Sequence, residues 1–384
     1  MTAQPTLLLS DPDISLDELE AVTEVLKSPH LYAGPVVAAF EASFAAYLGR
    51  RHAVAVASAT LGLLLALQAQ GVGPGDEVIA SPFGYRETVH GIALAGAKPV
   101  FADIDYWSCT LVPEKAAAAI TPKTRAIVVG NTNGHPASWQ AFRELASRHH
   151  LCLIEDSSEA IGSRYQGRPV GSFGDLAVFD LTQPGPLCCG EGGMLVTDDA
   201  EWAQGLRRLL GRRPEQQRAV VIGESPPYRA QMSDLQAALG LIQLRRLDEI
   251  LERRKRVEAD YHGHMRSFEG IKPPYVAPDA DEVHWMLYLV HLGTRFSRSS
   301  RDAILQDLAT AQIEAAAFCE PLHRQRYYAG LGYRKGDFFV TEKLADRAIA
   351  LPFHGHLTED QTGFIVKTLK DASVNVGAGS AIYL

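Results

Sequence analysis

From Ala53 onward the chain alternates short apolar runs with stretches of helical period, and this pattern restricts its fold more than any other feature. Val54 to Ala57 leads into a helical stretch from Leu61 to Gln70, and Glu77 to Ala80 into one from Glu87 to Ala95. Further runs lie at Pro99 to Ala102, Ala126 to Val129 and Leu151 to Glu155, with a helical period from Trp139 to Arg148. Strands alternating with helices predict an α/β domain whose mostly parallel sheet is flanked by helices. Ligands of such sheets sit at the carboxyl ends of the strands. Turn residues punctuate the units: Gly73-Pro74-Gly75-Asp76 closes the first helix and Gly96-Ala97-Lys98-Pro99 the second.

After Gln236, the spacing of Ala237, Leu241, Leu244, Leu247, Ile250 and Leu251 predicts one long amphipathic helix reaching about His262. It reads as a connector into a smaller α/β domain, where Trp285 to Leu292 predicts a strand and Arg301 to Ala311 a helix. We therefore expect a large domain over residues 1–250 and a small C-terminal domain over 251–384, with residues 1–30 able to pack on the small one.

Composition narrows the function classes. A chain of 384 residues, 46% hydrophobic and 21% charged, has room for one large core and a smaller second one. Net charge is -8, and the basic cluster Arg245, Arg246, Arg253, Arg254, Lys255 and Arg256 is interleaved with Asp248, Glu249 and Glu252. That mixture predicts a solvated helix face and no nucleic-acid surface. No apolar run approaches the ~18 residues of a membrane span, and Met1 to Asp11 lacks a basic start followed by an apolar core, so we expect no membrane contact and a cytoplasmic protein. Five cysteines, Cys109, Cys152, Cys188, Cys189 and Cys319, suggest neither a disulfide framework nor a metal site.

Landmarks spread over nearly the whole chain carry a resemblance. They include Gly34-Pro35 with Phe40-Glu41, Gly73-Pro74-Gly75-Asp76-Glu77-Val78, and Gly96 to Phe101 followed by Asp103-Ile104-Asp105. Ile154-Glu155-Asp156, Gly171-Ser172-Phe173-Gly174-Asp175, Gly190-Glu191-Gly192-Gly193-Met194, Met232 to Leu239 and Pro321-Leu322-His323 continue the set. Together they resemble the sugar aminotransferases of the DegT/DnrJ/EryC1/StrS family. The resemblance implies an aspartate-aminotransferase-like fold (fold type I) with a seven-stranded type of sheet, and a homodimer whose active sites are shared between chains.

Residue by residue, the resemblance implies that Asp156 pairs with the pyridine nitrogen of pyridoxal phosphate (PLP), that Tyr85 stacks on its ring, and that Thr60 binds its phosphate. Thr60 suits a helix N-cap equally well, Tyr85 a wall residue, and Asp156 a hydrogen-bonding strand end. The position matching the Schiff-base lysine is Gly185, which has no side chain with which to form an imine. Asp180 stands where the family has a phosphate-binding serine, Arg229 where the partner chain offers an asparagine, and Gln231 where an arginine follows. A carboxylate against a phosphate is repulsive. We therefore expect Asp180 to pair with Arg229 of the partner subunit inside the old phosphate site, and no cofactor to be bound. Noncovalent PLP or pyridoxamine phosphate (PMP) is the alternative.

Other polar residues suggest a pocket kept for a substrate. Asn131 replaces the family's histidine after the fourth strand, Ser157 and Ser158 replace alanines, and Glu159 follows Asp156 by three positions. We take Asp156 and Glu159 as candidate proton-transfer groups, and Tyr85, Asn131, Asp180, Gly185, Arg229 and His323 as candidate substrate contacts. Arg86, His90 and His135 are within plausible reach, and Cys188 or Cys189 could act as a nucleophile only with a lowered pKa. Three functions follow as expectations. The first is a repurposed enzyme using acid-base chemistry on a polar, sugar-like intermediate. The second is a dehydratase-like enzyme with noncovalent PMP or PLP. The third is a catalytically dead subunit paired with an active paralogue.

Overall fold

The computed structural model describes residues 6–84, 86–182, 184–211, 227–266 and 270–381. The strands of the large sheet are β1 (His52–Val56), β2 (Glu77–Ala80), β3 (Lys98–Phe101), β4 (Thr124–Gly130) and β5 (Cys152–Asp156). A short hairpin of β6 (Arg164–Tyr165) and β7 (Arg168–Pro169) precedes the last two, β8 (Leu176–Asp180) and β9 (Gly193–Thr197). Their spatial order is β1-β9-β8-β5-β4-β2-β3. Strands β3, β2, β4, β5 and β8 pair in parallel, and β9 runs antiparallel to both β8 and β1. The carboxyl ends of β1, β4, β5 and β8 consequently share one edge, as the alternation of runs and helices predicts.

Helices α1 (Leu16–Lys27), α2 (Pro35–Leu48), α3 (Ala59–Ala69), α4 (Arg86–Leu94), α5 (Pro113–Ala118), α6 (Trp139–His149) and α7 (Ala200–Leu210) accompany the sheet. Side chains alternate across each strand, so one face of the sheet sends Val54, Val56, Val128, Ile154 and Val178 into a core with Leu63 and Leu67 of α3 and Leu206 of α7. The other face sends Ala55, Phe179 and Met194 against Phe40 and Phe44 of α2, and Ile127 and Leu153 against Trp139 and Phe142 of α6. The sheet is thereby covered on both sides.

The connector is two helices, Asp234–Arg245 and Leu247–Met265, and not one. The break falls at Arg246, which has φ -95° and ψ 4°. Its guanidinium bonds Glu18 at 2.6 Å and Asp13 at 2.9 Å, so the break coincides with the anchor of the N-terminal segment. Burial works against ionisation of Glu18, yet hydrogen bonds from Ser15, Gln243 and Arg246 outweigh it and hold the carboxyl at about 2. Upstream, Leu7 bridges to Ile313 and the Phe353 N–H donates to Leu9 O at 3.0 Å, which ties residues before α1 to the C-terminal part of the chain.

That part is built on an antiparallel sheet, β10 (Ile271–Lys272), β12 (Tyr288–Leu292), β14 (Ala348–Leu351) and β13 (Ala316–Ala317), ordered β10-β12-β14-β13. Between the two sheets, β11 (Ala280–Glu282) pairs with β6. Helices Arg298–Thr310 and Glu359–Ala381 complete the layer. Tyr261 from the connector stacks on Tyr288 with ring centroids 4.3 Å apart.

Arg254 departs from the solvated face expected of the basic cluster, because it is buried. It donates to Phe353 O at 3.0 Å, Trp285 O at 2.9 Å and Met286 O at 2.6 Å, and its guanidinium lies over the Phe353 ring. Burial lowers its pKa to about 10, still far above neutral pH. Hydrogen bonding to carbonyls is what makes a buried cation tolerable here. Arg254→Met, which keeps the apolar stem and removes the donors, should lower the unfolding free energy by about 3 kcal/mol in urea titrations. A change below about 0.5 kcal/mol would mean that those carbonyls find other donors.

Candidate active site at the carboxyl edge

The last residue of β5 is Asp156, in register with Gly130 of β4 and Val178 of β8. Its Oδ1 accepts from the Ser158 N–H at 3.1 Å. Beside it opens a cleft lined by Ser81, Phe83, Val89, Asn131, Thr132, Asp156 and Glu159, among others. The structure thus brings Asp156, Glu159 and Asn131 together. Val89 and Phe83 give the cleft an apolar wall opposite the carboxyl groups.

Glu159 is fully enclosed, and one carboxyl oxygen accepts from the Asn133 peptide N–H. Burial raises its pKa to about 8, and the neighbouring Asp156 carboxylate acts in the same direction. Glu159 therefore holds its proton at neutral pH and can donate it beside the Asp156 carboxyl group.

Asn131 has a different role from substrate contact. Its Nδ2 donates to Glu155 Oε1 at 3.0 Å and Ser157 Oγ at 2.9 Å, while Oδ1 accepts from Ala137 N and Trp139 Nε1, both at 2.9 Å. Two donors and two acceptors are the full capacity of a carboxamide. Ser157 completes the same network, and Ser158 Oγ accepts from the Asp180 N–H at 3.0 Å, so both serines tie strands together.

The residues expected at a phosphate site lie on the segments around the start of α3. Its N-cap is Ser58, whose hydroxyl accepts from the Leu61 N–H at 3.3 Å, and Thr60 lies in the first turn. Asp180 ends β8, and its Oδ1 accepts from the N–H and the hydroxyl of Thr182. Arg229 is exposed, next to Ala230, whose carbonyl accepts from Ala57 N–H at 2.7 Å. Gln231 donates to Gly211 O at 3.1 Å. At Gly185 an added Cβ would meet Thr182 O at 3.5 Å and Leu187 O at 3.6 Å, ordinary contacts that leave room for a side chain. Among the described residues, no lysine lines the cleft.

Several candidates lie elsewhere. His323 is buried, with Nε2 3.0 Å from Glu342 Oε1 and its ring against Phe338. His90 stacks on Tyr328, and His135 accepts from the Ala277 N–H at 3.0 Å. Burial pushes the Cys188 thiol up and the Cys189 thiol well up, away from the thiolate a nucleophile requires. Tyr85 lies outside the described residues, as does the side chain of Arg86. Among the described residues no His, Cys, Asp and Glu group could hold a metal ion, and no helix is long and apolar enough to cross a membrane.

Two residues escaped sequence reading. Glu155 is a charged residue inside an apolar strand, and its carboxylate accepts from Phe173 N at 2.8 Å and Gly174 N at 3.1 Å. Asn133 was signalled only by the turn-forming dipeptide Asn133-Gly134.

A seven-stranded α/β sheet with an acid at the end of a central strand and a helix N-terminus on the same edge defines the fold of PLP-dependent aminotransferases. The chain belongs to the DegT/DnrJ/EryC1/StrS aminotransferase family, whose model matches residues 12–370. It is 36% identical over 371 residues to the spore coat polysaccharide biosynthesis protein SpsC of Bacillus subtilis (strain 168), covering 94% of this chain and 95% of that one. It is 34% identical to the GDP-perosamine synthase of Caulobacter vibrioides, covering 97% of this chain and 100% of the relative. Among solved structures, Spr1654 from Streptococcus pneumoniae in its PMP form superposes with a TM-score of 0.92 at 26% identity, covering 98% of this chain and 100% of that one.

The expectation of no cofactor is overturned by these relatives, since Spr1654 is known in both PMP and PLP forms. The physical case against a phosphate rested on Asp180. In the structure, one oxygen of that carboxylate is already occupied by Thr182, within its own turn. The positive end of the α3 dipole, which follows the carboxyl end of β1, suits an anion.

Glu159 also sets a pH dependence. Its folded pKa of about 8 exceeds the ordinary carboxylate value of 4.5, so between those limits the folded state holds a proton that the unfolded state has lost. This group's contribution to stability therefore falls as pH rises through that window. Urea midpoints measured from about pH 5 to about pH 8 should decline less for Glu159→Gln than for the wild type. Parallel declines would show that Glu159 titrates normally.

Proposed function

We propose that this chain is an enzyme acting on a sugar-like substrate, that it holds PMP or PLP noncovalently, and that it does not transaminate on its own. The observation that carries the reading is the meeting of Asp156 and Glu159 in one cleft that no described lysine lines. The family membership supports the cofactor and the sugar class, and Gly185 supports the noncovalent link.

Asp156 would face the ring nitrogen and keep it protonated, and the start of α3 with Ser58 and Thr60 would receive the phosphate. When bound, the group supplies an electron sink for carbanion chemistry. Glu159, enclosed and neutral, holds a proton in the same cleft, and the apolar wall of Phe83 and Val89 limits water around it. Without a lysine amine at position 185, proton movement falls to these carboxyl groups. Loss of a hydroxyl from a keto-sugar needs such a donor, which favours a dehydratase-like reaction over amine exchange.

Equilibrium dialysis with PMP and PLP tests the reading. The wild type should bind both, and borohydride should leave the cofactor dialysable. Gly185→Lys should gain an absorption band at ~410–430 nm and become covalently labelled at position 185 on reduction. Asp156→Asn should weaken binding of either form by roughly tenfold or more, the equivalent of about 1.4 kcal/mol. Wild-type protein that binds neither form, or that is labelled at one of its own lysines, would sink the proposal.

A further inference from the structure

One residue links the cleft to the C-terminal part of the chain. Asn133 has a left-handed backbone, φ 51°, and is followed by Gly134 at φ 96°. On the cleft side, its peptide N–H donates to the Glu159 carboxyl. On the other side, its carboxamide pairs with both main-chain groups of one residue: Nδ2 donates to Leu287 O at 3.1 Å, and Oδ1 accepts from Leu287 N at 3.0 Å. The Met286 N–H adds a bond to Asn133 O at 3.4 Å. A Cβ on Gly134 would lie 2.2 Å from His284 O, so the two backbones are in direct contact there. Leu287 immediately precedes β12, a strand of the antiparallel sheet. Asn133 is buried, which strengthens each of these bonds relative to water.

We propose that Asn133 is a positioning residue that aims the Glu159 carboxyl into the cleft and transmits the state of that carboxyl to the small antiparallel domain at Leu287. The inference rests on the reading of the cleft as the reaction site and adds a coupling to it. One residue carries both contacts, its backbone N–H toward Glu159 and its side-chain carboxamide toward Leu287, so a change in one is felt by the other. An ionised Glu159 accepts a stronger, shorter hydrogen bond from Asn133 than a neutral one does. Besides that N–H, the groups facing Glu159 among the described residues are the Asp156 carboxyl from β5 and the Cys109 thiol from the segment after β3. Burial keeps the thiol protonated, so Asp156 is the charge that Glu159 meets. A cationic ligand entering beside Asp156 would offset that charge and favour ionisation of Glu159. The Asn133 peptide would then be drawn toward the cleft, and the bonds to Leu287 with it.

The test uses the full chain without added cofactor, so it stands apart from the binding experiment above. The carboxyl C=O infrared band of Glu159, identified by its absence in Glu159→Gln, is followed with pH alongside the Leu287 amide resonance in NMR spectra. In the wild type, the band should titrate near pH 8, and the Leu287 resonance should move with the same midpoint. In Glu159→Gln, the Leu287 shift should vanish. Asn133→Gly keeps the left-handed backbone and the N–H but removes both side-chain bonds. It should abolish the Leu287 response and raise the Glu159 midpoint by about half a unit or more, because the hydrogen bond that favours the ionised form is less well held. Asn133→Asp retains one of the two bonds and should give an intermediate response. A Leu287 resonance that ignores Glu159 in the wild type, or follows it equally in Asn133→Gly, would overturn the proposal. Failure of PMP and PLP to bind would overturn the cofactor reading instead, and leave this coupling decided by its own titration.

Discussion

The carboxylate of Glu155 is the interaction around which the cleft is assembled. It sits inside the central sheet, and it accepts from the peptide N–H groups of Gly171, Phe173 and Gly174 together with Asn131 Nδ2 and Ser157 Oγ. A charge in such a position is tolerable only when its lone pairs are met by donors. Those donors come from the loop before β8, the loop after β4 and the turn after β5. Meeting the needs of this buried carboxyl group therefore fixes the loop after β4 and the turn after β5, both at the carboxyl edge, against the loop that enters β8. Asp156, the next residue, points to the opposite face of its strand and inherits that rigidity.

Adjacent carboxyl groups in this strand and turn end up with unlike environments. Glu155 is surrounded by donors, Asp156 accepts from its own turn at the mouth of the cleft, and Glu159 receives the Asn133 N–H in an otherwise enclosed site. Burial without sufficient donors favours the neutral form, and the nearby Asp156 charge adds to it. Chemical differentiation here comes from local hydrogen-bond supply, because the residue types are nearly the same.

The fold was legible because period and turn chemistry act locally. The parallel strands, the flanking helices and the turn at Gly73 to Asp76 all follow from neighbours in sequence. The connector was read too simply, since its apolar spacing runs through Arg246 while the break coincides with bonds to Asp13 and Glu18, more than two hundred residues away. Arg254 was misplaced for the same reason: the carbonyls that accept from it belong to distant segments. Asp156 and Glu159 share one cleft because three-residue spacing after a strand end places both on one turn. Asn131 was found for the wrong chemistry. A carboxamide after a strand looks like a ligand contact until its four partners are known, whereas Asn133, two positions later, carries the contacts that cross between sheets.

Reading a missing lysine as a missing cofactor joined two physical terms that are separable. The imine is one bond at one side chain, whereas retention of the ring and phosphate depends on an acid at the ring nitrogen, a helix N-terminus at the anion and an apolar wall. Under the proposed function, Gly185 removes the first and touches none of the others. Asp180 looked like a direct veto on the phosphate, yet a carboxylate that caps its own turn has part of its charge neutralised by the donors it already holds. On that proposal, what the glycine changes is the source of the mobile proton. A lysine amine near the substrate normally serves that purpose, and in its absence a carboxyl group kept neutral by its surroundings is the chemically competent substitute. The enclosed Glu159, held by Asn133 and facing Asp156, has that character.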